Sequence, residues 1–291
     1  MNYAKTPETK NIILKALRED IGKKDITTAM IIPKDKRVKA ALLAKENCTI
    51  CGIALAGEIF KTQDKGIKFK SVFSDGQKIK NGQIIAYIEG KARSILAAER
   101  VALNFLSLLS GIATKTRTYT DKVKPFKVKI LDTRKTIPGL RELEKYAVRI
   151  GGGFNHRFSL DEMILIKDNH LIVSCAMRPA QCIKKIIKNI KKKLSKNIKL
   201  EIEVKNLKEF QEALRENPDI IMLDNMKISD IKKAVALERN THDAIRTTLI
   251  EASGGITLKN IRKIASCGVD MISIGALTHS VSSVDISLEF L

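Results

Sequence analysis

The sequence predicts an α/β protein: a barrel or an open doubly wound sheet of parallel strands, preceded by a smaller α+β unit. Two patterns carry that prediction. From about residue 125, six short apolar runs alternate with helical stretches, the rhythm of parallel strands with helices outside them. Ahead of that point the apolar pieces are hairpin-length and separated by Gly-containing turns. With 291 residues the chain can bury the core of one large domain or of two ordinary ones.

Taken in order, "ETKNIILKALRED" has helical spacing, and "VKAALLAKE" and "GQIIAYIEG" read as strands around the turn-rich "SDGQKIKNGQ". The helix "ILAAERVALNFLSLLSG" closes this part. Its greasiest stretch, "VALNFLSLLSGIA", is too short and interrupted to span a bilayer and reads as a buried helix. The later strands are "KVKILDTRK", "EMILIKDNH", "KLEIEVKN", "DIIMLDNM", "TTLIEASGG" and "MISIGALTHS". Between most of them lie the amphipathic helices "LRELEKYAVRI", "LKEFQEALREN", "ISDIKKAVALE" and "LKNIRKIASCG". No Gly-x-Gly-x-x-Gly follows a strand, which disfavours a dinucleotide fold.

Composition narrows the class. A chain that is 44% hydrophobic and 29% charged is globular rather than disordered. The N-terminus lacks the apolar core of a signal peptide. Cys48, Cys51, Cys175, Cys182 and Cys267 are odd in number and scattered, as expected of free thiols in a reducing cytoplasm. The CxxC at Cys48 and Cys51 has neither a second pair for zinc nor a thioredoxin-like setting, so it reads as strand and turn. The net charge of +21 admits nucleic acid, a membrane surface or small anions as partners. In "CIKKIIKNIKKKLSKNIK", however, Ile183, Ile186, Ile187, Ile190 and Leu194 recur at helical spacing and leave the lysines on a wet face. That segment holds no acid. Trp is absent and Tyr scarce, so stacking platforms for single strands are few, and nucleic acid is disfavoured.

Chemistry collects at the C-terminal ends of the apolar runs. In a parallel barrel these ends share one rim, where active sites form. Thr133, Arg134 and Lys135 end the first run, and Lys167 the second. Together with Arg157, beside His156 in "GGGFNHR", these make a cationic sector that calls for a multiply anionic ligand. Glu203 and Asp224 form an opposing acidic sector, suited to sugar hydroxyls or to Mg²⁺ held through water. Glu201, one step deeper on the same face, reads as a structural ion pair. Ser253, Gly254 and Gly255, and then Gly275 and Ala276, sit between a strand and a helix and expose N–H groups at helix starts, as a phosphate needs. The "GGG" at Gly151 to Gly153 ends a helix and permits close backbone approach. A multiply anionic small molecule meeting a phosphorylated sugar fits this set.

At these residues the chain resembles the quinolinate phosphoribosyltransferase family. The matching pieces are "AAERVALNFLSLLSGIAT", "DTRKTIPGLRELEKYAVRIGGGFNHR", "LIKDNH", "IEVKNL", "IIMLDN", "EASGGI", "ISIGALTHS" and, near the start, "LREDIGKKDITT". Departures are small: Ile137 stands where a second Thr is common, Ser159 where Gly is common, and the basic stretch Lys184 to Lys199 is extended. The resemblance implies an open TIM-like α/β barrel over residues 113–279. It also implies a smaller α/β sandwich domain over 1–112, joined by the tail 280–291. The implied reaction joins quinolinate to phosphoribosyl pyrophosphate with loss of CO₂ and a requirement for Mg²⁺. It implies that Thr133, Arg134, Lys135, His156, Arg157 and Lys167 take up the quinolinate carboxylates and the pyrophosphate. Glu203 and Asp224 would hold the ribose hydroxyls and Mg²⁺, with Lys135, Lys167, Glu203 and Asp224 closest to the chemistry. Ser253 to Gly255 and Gly275 to Leu277 would bind the 5-phosphate. A homodimer with shared active sites, Arg100 arriving from the partner, is implied as well.

Overall fold

The computed structural model describes residues 3–175, 179–193, 195, 197–240 and 248–291. It divides into two compact units: Met1–Arg117 with Thr136–Gly152 and Ala276–Leu291, and Thr118–Lys135 with Gly153–Gly275.

The first unit is built on a four-stranded antiparallel sheet ordered Ile286–Phe290, Arg37–Ala44, Ile84–Lys91, Lys68–Ser71. Its centre is apolar: Ala40, Ala41 and Leu42 are fully buried, and Leu42 pairs with Leu288 on one side and Ala86 on the other. The Pro7–Ile21 helix starts where Thr6 caps it, its hydroxyl accepting the Thr9 amide at 3.2 Å. Asp75 holds a second joint. Its carboxylate accepts the Gly52 and Ile53 amides, both at 3.0 Å, and the hydroxyls of Tyr146 at 2.8 Å and Tyr3 at 3.2 Å. Cys48 and Cys51 lie beside this joint as free, buried thiols. Burial pushes the Cys48 thiol up to about 11 and the Cys51 thiol well above its ordinary value. At Gly151, which follows the Arg141–Ile150 helix, a Cβ would stand 2.6 Å from the Ala113 carbonyl oxygen, so the close approach expected of the triple glycine is present.

The apolar stretch judged short of a bilayer belongs to a longer element. Ala92–Val123 is one helix of 32 residues, long and apolar enough to cross a membrane by length and composition. Judging the apolar run alone understated it, because the helix continues through "TKTRTYTDKV". Ile95, Ala98, Ala102, Leu106, Leu109 and Ala113 line a fully or almost fully buried stripe along it, as in a core helix.

The second unit carries a six-stranded sheet, every pairing parallel, ordered Lys129–Leu131, Met271–Ser273, Leu249–Ser253, Ile220–Asp224, Leu200–Val204, Ile164–Ile166. The first strand in sequence neighbours the last. That circular order belongs to a barrel and differs from a doubly wound sheet, whose order reverses at a switch point. Phe154 adds a parallel bridge to Leu131 at the free edge. No described pairing joins that edge to Ile164–Ile166, so the barrel is open between its first and second strands. One face of Leu200–Val204 presents Leu200, Ile202 and Val204, and the other presents Glu201 and Glu203, all buried. On the same interior face, Leu131, Ile220 and Met271 cluster with Met163 as an apolar plug.

Outside the barrel, Asn206 caps the Leu207–Leu214 helix and exchanges hydrogen bonds with Glu209. The basic helix runs over Pro179–Lys191 with Ile183 and Ile187 fully buried and Lys184, Lys185 and Lys188 exposed. Lys191 reaches the turn that follows the Leu207–Leu214 helix, donating to the Glu216 and Asn217 carbonyls at 2.6 and 2.7 Å. Leu194 and the side chain of Cys175 lie outside the described residues.

Candidate active site

The second unit's strand ends bring the charged residues together in two levels. At the mouth, the pairing of Ile166 with Ile202 sets the next residues side by side, and Lys167 Nζ lies 3.0 Å from Glu203 Oε2. Asp224 pairs in register with Ser253 on the next strand. The two carboxylates therefore come from adjacent strands, Glu203 buried and Asp224 half-buried. Lys205, which strand-end reasoning passed over, bonds to Asp168 at 2.7 Å and faces Asp224 and Glu203 electrostatically. That hydrogen bond holds the Asp168 carboxyl below the usual carboxylate range. His170 Nδ1 accepts the Lys167 amide at 2.9 Å and fixes the loop from which that lysine rises.

The first strand end, "DTRK", divides its labour. Asp132 is fully buried and points away from the cationic role of its neighbours. Its carboxylate accepts the His156 amide at 2.9 Å and the Asn155 side chain at 2.5 Å, which ties "NHR" to the strand. The Thr133 hydroxyl accepts the Lys135 amide at 3.1 Å and turns the chain back. Arg134 is half-buried and Lys135 exposed. Arg157 donates to the Met163 carbonyl at 2.9 Å. Burial lowers the Arg157 pKa below its ordinary value, the nearby Arg134 guanidinium lowers it further, and Glu201 opposes both. Like charges that act on one another in this way favour an anionic ligand nearby.

One level down sits a group of which the sequence supplied only two members. His156 Nε2 is 3.0 Å from Glu201 Oε2 and 3.8 Å from Glu251 Oε2. The Ser273 hydroxyl donates to Glu251 Oε1. Glu201 and Glu251 are both fully buried. Burial, then the Glu201 carboxylate beside it, pushes Glu251 up to about 8. Glu201, expected to be held by a structural partner, has the His156 ring nearest to it. Glu251 was legible as the acid inside "LIEAS", the same signal that marked Glu201 inside "LEIEV".

The glycine sector differs from its expected form. Gly254 and Gly255 both have positive φ, 84° and 61°, so "SGG" is a left-handed turn. The following helix, Ile261–Ala265, starts only after a turn in which Asn260 Oδ1 accepts the Thr257 amide at 2.8 Å. The amides at 254 and 255 are therefore oriented by the turn and not by a helix start. Asn225, itself at φ 53°, donates its amide to the Ser253 carbonyl at 2.8 Å. A Cβ on Gly254 would stand 2.8 Å from that Asn225 nitrogen. Gly275 is half-buried, and Ala276 opens a helix of only four residues in which the Leu277 side chain is fully buried. Arg100 is exposed on the Ala92–Val123 helix of the first unit.

Lys167, Glu203, Asp224 and Ser253 thus end neighbouring strands, with Arg134, Arg157 and His156 linked to the first strand and to Glu201. Known proteins resemble this chain along its length. Residues 112–289 match the C-terminal domain of quinolinate phosphoribosyl transferase, and residues 25–110 match its N-terminal domain. A Methanocaldococcus jannaschii protein described as a probable nicotinate-nucleotide pyrophosphorylase (carboxylating) is 46% identical, over 96% of this chain and 95% of its own. A mitochondrial quinolinate phosphoribosyltransferase (decarboxylating) of Nicotiana tabacum is 40% identical, over 98% of this chain and 82% of its own. The solved nicotinate-nucleotide pyrophosphorylase of Francisella tularensis superposes with a TM-score of 0.88 at 39% identity, covering 99% of this chain and 98% of that one. With both of its domain models matched along nearly the whole length, the chain belongs to the quinolinate phosphoribosyltransferase family.

Proposed function

We propose that the barrel mouth ringed by Arg134, Arg157, Lys167, Glu203 and Asp224 is where this family's reaction takes place, the decarboxylating transfer of phosphoribose to quinolinate that yields nicotinate mononucleotide for NAD biosynthesis. The observation that carries this reading is the Lys167–Glu203 pair at adjoining strand ends, on the same barrel rim as Arg157 and Arg134, whose charges act on one another electrostatically. A dicarboxylate ring relieves the repulsion between the cations. Guanidinium forks suit its carboxylates, and lysines add point charge.

The quinolinate nitrogen forms a bond to the ribose C1 carbon as pyrophosphate leaves with the bonding pair. Positive charge then develops on the sugar ring, where Glu203 and Asp224 offset it, while Arg134, Lys135 and Thr133 receive the leaving pyrophosphate. Lys167, displaced from Glu203 or shared with it, neutralises an acceptor carboxylate. The bond from ring carbon C2 to its carboxylate then breaks. CO₂ departs, and the electron pair left on C2, stabilised by the quaternised nitrogen, takes a proton. The turns Ser253–Gly254–Gly255 and Gly275–Ala276–Leu277 offer backbone N–H groups to the 5-phosphate.

Mg²⁺ fits the donors: Glu203 and Asp224 are hard oxygen ligands on adjacent strands, and with Glu203 Oε2 engaged by Lys167, water-mediated contact suits the pair better than direct chelation. When bound, the ion supplies charge compensation for the pyrophosphate. A homodimer that brings Arg100 to the partner's barrel completes the reading, and the unpaired Cys48, Cys51, Cys182 and Cys267 support a cytoplasmic setting.

The test is CO₂ release from quinolinate with phosphoribosyl pyrophosphate and Mg²⁺, with nicotinate as the competing acceptor. Turnover of quinolinate alone supports the reading, and preference for nicotinate refutes it. Mixed dimers of Arg100→Ala and Lys167→Ala chains test sharing: recovery of one working site supports it, and no recovery counts against it.

A further inference from the structure

Two neighbouring strand ends at the mouth carry four charges in two crossed pairs. The register that sets Ile166 beside Ile202 runs on to Lys167 opposite Glu203, whose side chains meet at 3.0 Å. Just beyond them, Lys205 Nζ donates to Asp168 Oδ2 at 2.7 Å. Each strand end thus supplies one cation and one carboxylate, and each cation bonds to the carboxylate of the other. The Lys205 amide donates to Glu209 Oε2 at 2.9 Å, which ties the base of this lysine to the Leu207–Leu214 helix.

Asp168 has a second cation within its field. It follows Lys167 directly in the chain. The Lys205 hydrogen bond, then the Asn169 amide, then the charges of Lys205 and Lys167 hold its carboxyl below the usual range. Its Oδ1 is committed to the Asn169 amide at 2.7 Å, at the start of the Asp168–Cys175 helix. Oδ2 is the oxygen that can serve either lysine, and Lys205 holds it. The Lys205 side chain is 50% exposed and that of Asp168 35%, so the pair adds little to stability and its weight falls on where charge is placed.

We propose that Lys205 is a positioning residue that acts through Asp168: by holding this carboxylate it keeps a second acid off Lys167 and leaves that lysine's charge for the acceptor. This rests on the function proposed above, in which Lys167 neutralises a quinolinate carboxylate. Glu203 already shares Lys167, and a lysine answered by two carboxylates has less attraction left for a third.

The first measurement needs no turnover and so stands apart from the fate of the proposed reaction. In a crystal structure of the full chain carrying Lys205→Met, Asp168 Oδ2 is expected within hydrogen-bond distance of Lys167 Nζ. An Asp168 carboxylate that stays turned away from Lys167 overturns the proposal. The second measurement is kinetic, with turnover of quinolinate by the unaltered chain as the separate check on the function beneath it. Lys205→Met is expected to raise KM for quinolinate about fivefold with kcat nearly held, while Lys205→Arg stays near wild type. Asp168→Asn keeps an oxygen for the Asn169 amide and removes the competing charge. Added to Lys205→Met, it is expected to bring KM back to within about twofold of wild type. An unchanged KM in Lys205→Met overturns the proposal. So does a double variant as impaired as the single one, which assigns Lys205 a direct contact with substrate instead. Circular dichroism and Tm confirm that each variant is folded.

Discussion

The two larger sheets among the described residues treat buried polarity in opposite ways. In the antiparallel sheet, the central strand Arg37–Ala44 fills its buried positions with Ala40, Ala41, Leu42 and Ala44. In the parallel sheet, strands just as buried carry Glu201, Glu203 and Glu251 inside. Burying a carboxylate costs free energy unless a partner compensates it. The first sheet avoids that cost, and the second accepts it around His156, Lys167 and Ser273. The contrast separates a sheet that holds the fold from one that holds the chemistry.

That division can be broken most sharply at the barrel mouth. Arg134→Ala or Lys167→Ala is expected to leave circular dichroism and Tm close to wild type while lowering kcat/KM for quinolinate by roughly a thousandfold. Near-normal turnover in either folded variant removes the mouth from the chemistry. The reverse result is expected in the antiparallel sheet. Leu42→Ala should cost about 3 kcal/mol of stability in urea unfolding, with activity per folded molecule retained. A large kcat effect there would erase the distinction.

Glu251 sharpens the comparison through pH. Its folded pKa is about 8, against 4.5 for the ordinary group. Its contribution is therefore fully present below about pH 4.5 and is lost as pH rises through 8. Glu251→Gln, which cannot ionise, should flatten the decline of unfolding free energy between those limits and leave its acid side unchanged. An unchanged slope would show that the buried acid does not hold its proton. The smallest effect belongs to the basic helix. Replacing exposed Lys184 and Lys185 by Gln should alter stability by less than about 0.5 kcal/mol and leave turnover intact. A steep fall in salt-sensitive polynucleotide binding instead would assign that face to a polyanion.

Legibility followed the same division. Strand ends in a parallel array are recognisable because an apolar run stops at a charge, and Lys167, Glu203 and Asp224 announced themselves this way. The roles of Glu251, inside its strand, and of Asp132, just past its own, were not legible: such an acid is ambiguous until its partner is known, and the partners, His156, Ser273 and Asn155, come from elsewhere in the chain. The turn at "SGG" was read as a helix start because glycine signals backbone freedom without saying which geometry uses it. The long Ala92–Val123 helix was underestimated because hydropathy marks a buried stripe and not the polar turns that extend it. The order of the strands, which decided between barrel and open sheet, lies in register and cannot be read from periodicity.

The strand Ile286–Phe290 pairs with Arg37–Ala44 across about 250 residues of sequence, as in Ala40 with Phe290. During synthesis the ribosome must therefore deliver the whole barrel before that edge can be hydrogen-bonded. Until then Arg37–Ala44 presents an open edge along one side, a point at which nascent chains can pair wrongly with one another. Completion of the N-terminal sheet thereby waits on synthesis of the barrel that precedes Ile286–Phe290.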